Sequence, residues 1–101
     1  MQNLMATHLT AVQEICRKRH VHNLYAFGSI LTDRFNSQSD VDLLVEFENM
    51  PIEDYADNYF DLCDDLERIL HRRVDVVTMR SVKNPYFEKD LLQTRQLIFE
   101  S

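Results

Sequence analysis

The sequence holds a single glycine, Gly28, only two prolines and no tryptophan. So little Gly and Pro leaves no stretch with the composition of a linker, repeat or low-complexity tail, and 101 residues read as one compact domain, 1–101. No apolar run approaches the length of a bilayer span, and Met1 to Thr10 lacks the basic and apolar regions of a secretory leader, so the expectation is a cytoplasmic chain with no membrane partner. Cysteine is also scarce. Cys16 and Cys63 stand far apart, outside any Cys-x-x-Cys or Cys/His spacing, and read as buried reduced thiols. His8, His20, His22 and His71 show no zincin spacing, which argues against a transition-metal site. Positive charge is short as well: 11 Lys and Arg against 17 Asp and Glu give a net charge of −6 and a pI near 5.0. Phosphate-backbone binding needs a positive surface, so direct stable nucleic-acid binding is not expected.

What is present is a clear alternation of periodicities. Leu4 to about Arg19 sets Leu4, Met5, His8, Leu9, Val12, Ile15 and Cys16 near one side, the 3.6-residue repeat of an amphipathic helix. Arg17, Lys18 and Arg19 close it, complementing the helix dipole. His22 to Phe27 reads as a short strand that stops at Gly28, where a lone glycine suggests a tight turn or a close approach of backbone. Ser29 to Arg34 reads as a helical turn, and Asn36-Ser37-Gln38-Ser39 as turn residues ahead of a strand from about Asp40 to Phe47. In that strand Val41, Leu43, Val45 and Phe47 share one face, and Asp40, Asp42, Leu44 and Glu46 the other.

Pro51 to His71 predicts a long amphipathic helix whose outer face carries Glu53, Asp54, Asp57, Asp61, Asp64 and Asp65, read as a solvated face and, alternatively, as a dock for a basic partner. Arg73 to Met79 predicts a third strand, in which Asp75 is an acid between valines. A last helix over about 84–93 and a tail, Leu97-Ile98-Phe99, able to add an edge strand, complete the expectation.

The chemistry-bearing pattern is Gly28-Ser29, ten residues, then Asp40-Val41-Asp42. An Asp-x-Asp pair in a strand aims both carboxylates to one face with Cα atoms roughly 6–7 Å apart, which suits bridged metal ions. Mg²⁺ is a hard cation that takes carboxylate, water and phosphate oxygens. Asp75, on a neighbouring strand, is the candidate third acid. Its alternative is a surface residue of an edge strand. Gly28 lets backbone approach phosphates, Ser29 offers a hydroxyl and an amide, and Arg34 is a candidate phosphate contact.

Gly28-Ser29-x10-Asp40-Val41-Asp42, followed by Leu43-Leu44-Val45, resembles the signature of the minimal nucleotidyltransferase (MNT) family within the DNA polymerase β-like superfamily. The likeness spans nearly the whole chain. By that resemblance Ser39 opens the Ser-Asp-aliphatic-Asp form and Asp75 matches the third metal-binding acid. Leu31-Thr32-Asp33 stands where an Ala-Arg-Gly motif is frequent, so Arg34 is the residue placed to take over phosphate contact. The resemblance implies an α/β (α+β) fold, a small mixed β-sheet flanked by helices, with two Mg²⁺ ions held by Asp40, Asp42 and Asp75. It implies ATP as substrate, bound with help from Gly28, Ser29, Arg34 and Ser39, and transfer of AMP to a hydroxyl with release of pyrophosphate. It further implies the antitoxin half of a HEPN/MNT (type VII-like) toxin–antitoxin pair, whose HEPN toxin is silenced by AMP on a tyrosine.

About 100 residues hold little more than the metal and triphosphate half-site, so the acceptor is expected on another protein. Two other readings use the same residues. One is a binding module that neutralises its partner by occlusion, and the other is nucleotidyl transfer to an RNA end or a small molecule.

Overall fold

The structure is a computed structural model that describes residues 3–101, with side chains from Leu4 onward; Met1 and Gln2, part of the stretch read for a leader, lie outside it. Helix α1 spans Asn3–Lys18, β1 Val21–Phe27, a short 3₁₀ turn Gly28–Leu31, β2 Val41–Phe47, α2 Ile52–Leu70, β3 Val74–Thr78, a second 3₁₀ turn Met79–Ser81, α3 Pro85–Thr94 and β4 Gln96–Glu100. The sheet runs β3-β2-β1-β4, with β1 antiparallel to β2 and β4 and β2 parallel to β3. It is the mixed, helix-flanked sheet expected from the sequence. No described helix is long and apolar enough to cross a membrane.

The sheet is covered on both faces, and the two coverings explain the sequence pattern. On one face Val41, Leu43 and Val45 of β2 pack with Met5, Val12, Ile15 and Cys16 of α1 and Leu62, Leu66 and Leu70 of α2. Helical and strand periodicities there bring apolar side chains to one core. On the other face Phe27, Leu44 and Leu91 form a second cluster, edged by Tyr25, Val77, Met79 and Val82. Leu44 sits on the acid-bearing face of β2 as expected, yet it is fully buried, because α3 lays Leu91 over it. Only the end of that face carrying Asp42 is left for chemistry.

With no glycine after Gly28, the helix ends turn on histidines. His20, just past α1, and His71, at the end of α2, take φ of 58° and 55°. That left-handed conformation costs a non-glycine residue about 1–2 kcal/mol. Helix α3 has a better start: Pro85 occupies its first turn and the Asn84 side-chain oxygen accepts from the N–H groups of Tyr86 and Phe87 at 2.9 and 3.3 Å.

One expectation changes. Arg19 does not serve the α1 dipole; its Nε donates to Asp65 Oδ2 at 2.8 Å, and Arg68 Nη2 stands 3.1 Å from Asp65 Oδ1. Asp65 therefore leaves the solvated acidic face of α2: it is 6% exposed, because its position beside Leu66 turns it toward α1, and the guanidinium makes its burial tolerable. The C-terminal tail adds the edge strand expected of Leu97-Ile98-Phe99, running from Gln96 to Glu100. It pairs with β1 through Asn23↔Glu100, Leu24↔Phe99, Tyr25↔Leu97 and Ala26↔Gln96, and buries Ile98 and Phe99. The opposite edge, β3, is capped by α2 side chains: Glu67 Oε2 accepts from the Val74 N–H at 3.0 Å and the Tyr59 hydroxyl donates to the Val76 carbonyl at 2.6 Å. Such caps remove exposed ladder groups from an edge strand.

Candidate active site

Because β1 runs against β2 and β2 runs with β3, the C-terminal end of β1 and the N-terminal ends of β2 and β3 meet at one end of the sheet. The register there is Phe27↔Asp42 and Asp42↔Asp75. Gly28 follows Phe27 directly. The glycine turn and two of the three acids thus come from neighbouring strands at one level of the sheet.

Gly28 is required at its position on two counts. Its φ of +75° is one that side chains rarely adopt, and a Cβ placed there would run into the Asp42 carboxylate, with Cγ only 3.3 Å away. The close approach inferred for the lone glycine is therefore first an approach to Asp42. This packing ties the Gly-Ser turn to the acid pair, two parts of the motif separated by ten residues in the chain.

Asp42 is half-buried, whereas Asp75, on edge strand β3, and Asp40, one residue ahead of β2, are exposed. Burial pushes the Asp42 carboxyl above the ordinary carboxylate range, and the negative charges of Asp75 and Asp40 push it the same way. Asp42 is therefore the carboxyl on which the charges of the other two acids converge. Side by side the three acids are not a closed cage: among the described residues no set of three His, Cys, Asp or Glu side chains is gathered tightly enough to enclose a metal ion.

Gly28, Ser29 and Arg34 line a single open cleft of about 730 Å³, together with Leu31 and Thr32 and, across from them on α3, Asp90 and Thr94. The turn is braced from within, the Ser29 carbonyl accepting from both the N–H and the hydroxyl of Thr32 at 2.9 Å. Ser39 stands apart from this cleft. Its hydroxyl accepts from the Asn36 N–H at 3.1 Å and its N–H donates to the Asn36 carbonyl at 3.1 Å, closing the tight loop that delivers the chain to Asp40. Asp90 and Thr94 were not legible as cleft residues: nothing local in the 84–93 pattern reveals which sheet end the last helix overhangs.

The family model described as a nucleotidyltransferase domain matches residues 9–98, a span that contains every residue of this site. The chain belongs to the nucleotidyltransferase domain family. A relative from Methanocaldococcus jannaschii, provisionally named a protein adenylyltransferase, is 32% identical over 91 residues, covering 82% of this chain and 90% of its own. The protein adenylyltransferase MntA of Thermococcus cleftensis is 36% identical over 77 residues, 75% of each chain. Among solved structures, one provisionally described as a minimal nucleotidyltransferase superposes with a TM-score of 0.76 at 27% identity, covering 90% of this chain and 89% of that one. A chain from the complex of a tri-AMPylated Shewanella oneidensis HEPN toxin with its MNT antitoxin has the same fold, with a TM-score of 0.66 at 16% identity over 96% of this chain and 73% of that one. The family and the fold read from Gly28-Ser29-x10-Asp40-Val41-Asp42 are therefore borne out, and the protein is an enzyme of the nucleotidyltransferase class.

Proposed function

We propose that this nucleotidyltransferase domain transfers AMP from ATP, with Mg²⁺, to a hydroxyl of a partner protein, a tyrosine of a HEPN-type toxin, and so acts as the antitoxin of the pair. The observation that carries the reading is the register Phe27↔Asp42↔Asp75 with the Gly28 backbone packed on the Asp42 carboxylate. It sets a phosphate-binding turn against acids that repel one another, an arrangement a divalent cation relieves.

The donors suit magnesium. Asp40, Asp42 and Asp75 offer hard carboxylate oxygens and no nitrogen or sulfur ligand, and an open set matches a cation that keeps waters and substrate phosphates in its shell. When bound there, Mg²⁺ neutralises charge on the triphosphate and on the departing pyrophosphate. The rest falls to the chain's own groups. Gly28 admits backbone close to the phosphates, while the Ser29 hydroxyl and Arg34 face the same cleft and offer donors to phosphate oxygens. The acceptor hydroxyl gives its proton to the surrounding water as its oxygen bonds to the α-phosphorus and the bond to pyrophosphate breaks. Asp75, on the edge strand, and Asp40 are exposed and open to an incoming acceptor, whereas Asp42 is half-buried on β2 between β1 and β3.

The protein acceptor is supported by kinship: of the relatives named above, one is provisionally named a protein adenylyltransferase and the other is the protein adenylyltransferase MntA. The test incubates the chain with α-labelled ATP and Mg²⁺, with and without the protein encoded beside it. Label is expected on the partner and lost with Asp40→Asn/Asp42→Asn. Protection of the partner's target by that folded double variant, at wild-type strength, would instead establish occlusion, and label retained by it would remove the acids from the reaction.

A further inference from the structure

Two of the three acids are held by the strand ladder, but Asp40 lies outside β2 and depends on the loop before it. That loop is fastened by one side chain from elsewhere in the chain. Arg72, between α2 and β3, donates from Nη1 to the Asn36 carbonyl at 2.7 Å and to the Ser39 carbonyl at 2.9 Å, and its guanidinium lies 4.6 Å from the centroid of the Phe35 ring. The next residue, Arg73, accepts the Val41 N–H on its carbonyl at 2.9 Å. One short corner therefore grips the chain on both sides of Asp40 and leads, three residues after Arg72, to Asp75.

We propose that Arg72 is a positioning residue for the nucleotidyl-transfer site, fixing the 36–39 loop so that Asp40 is held beside Asp42 and Asp75 for metal binding. The inference rests on the function proposed above. Otherwise, among the described residues, the 36–39 loop is held by local hydrogen bonds: Ser39 N–H to Asn36, Asn36 N–H to Ser39, Gln38 N–H to the Asn36 side chain at 2.8 Å, and Asn36 Nδ2 to the Arg34 carbonyl at 3.3 Å. Such a turn keeps its shape when released but not its place. A planar guanidinium is suited to the task, because one nitrogen serves two carbonyls while its face lies on Phe35, a combination a lysine cannot reproduce.

The test measures, by calorimetry, how much Mg²⁺ is needed for a non-hydrolysable ATP analogue to bind, at a temperature where every variant is folded by circular dichroism. Arg72→Met is expected to need about tenfold more Mg²⁺ than wild type, the size of effect typical when a group that orients metal ligands is removed, with Arg72→Lys between the two. Arg19→Met, which breaks the remote pair with Asp65, serves as the control and is expected to lower the melting temperature without moving the Mg²⁺ midpoint. An Arg72→Met midpoint within about twofold of wild type overturns the proposal. So does an equal shift in Arg19→Met, which would mean general loosening, or full wild-type behaviour of Arg72→Lys, which would mean that charge alone suffices. If wild type binds the analogue without any dependence on Mg²⁺, or not at all, the proposed function falls and this inference falls with it.

Discussion

Asp42 and Asp75 are direct Cα partners across the parallel β2–β3 pair, so two carboxylates of like charge are held at one level of the sheet, one half-buried and one exposed. Nothing in folding favours that pairing. Like charges set opposite each other destabilise a sheet, and residues that oppose stability in this way are characteristic of sites kept for function.

The first prediction concerns that cost. The Asp42 carboxyl is raised in the folded chain, so it is harder to ionise there than in the unfolded chain. Below the unfolded value, about 4, the group is neutral in both states and opposes nothing; as pH rises from there to the raised folded value the unfolded chain ionises first, so stability is lost over that window and the loss stays constant above it. Asp42→Asn is therefore expected to melt a few degrees higher than wild type near neutral pH, with the gain shrinking as pH falls through the raised folded value and gone below about 4, while transfer activity is lost. Thermal melts across pH check it, and an Asp42→Asn protein less stable than wild type at neutral pH would contradict it.

Gly28→Ala tests the approach of the turn to the acid. The new methyl meets the Asp42 carboxylate in a backbone conformation that alanine resists, so a loss of about 1–3 kcal/mol is expected in denaturant unfolding. Mg²⁺-dependent nucleotide binding should fall with it. Unchanged stability would show that the turn relaxes freely and that the packing is incidental.

Arg19→Met should destabilise by about 1–3 kcal/mol, since it strands a buried carboxylate that Arg68 satisfies only in part. Arg19 holds the Asp65 carboxyl below the ordinary range, so this contribution is present above the unfolded carboxyl's value and disappears as pH falls through the lowered folded one. Urea unfolding at neutral and at strongly acidic pH should show the wild-type advantage fading in acid. An advantage that is constant over that range would mean that packing, not charge, carries it.

Tyr59→Phe removes the hydroxyl that donates to the Val76 carbonyl at 2.6 Å on the outer edge of β3. A loss of about 1 kcal/mol is expected, with faster hydrogen exchange in β3 than in β1. Uniform exchange across the sheet would place the edge cap outside the stability of β3.

Much of this was legible in the chain. The helix from Leu4, the strand carrying Asp40-Val41-Asp42 and the acid between valines at Asp75 follow from side-chain periods of 3.6 and 2, which survive folding because each element buries one face. The lone Gly28 announced a close approach because few backbones need one. Long-range pairings were not legible. That Arg19 would neutralise Asp65, that α3 would cover Leu44, and that Arg72 would hold the 36–39 loop all depend on how elements pack, 46, 47 and 33 to 36 residues apart in the chain. Local pattern carries no record of such distances. Asp40 itself shows the limit at small scale: alternation predicts a strand residue, but the Asn36–Ser39 turn delays the strand to Val41.

The central claim is that the sheet end bearing Gly28, Asp40, Asp42 and Asp75 is where metal and nucleotide meet, in a chain whose α2 offers a competing row of acids at Asp57, Asp61 and Asp64. Paramagnetic Mn²⁺ added in trace amounts with ATP, read by backbone amide resonances, distinguishes the two surfaces directly. Amides of 28–29, 40–43 and 74–76 are expected to broaden first, and to be spared in Asp40→Asn/Asp42→Asn. Broadening that begins along α2 and is untouched by that double variant would contradict the account.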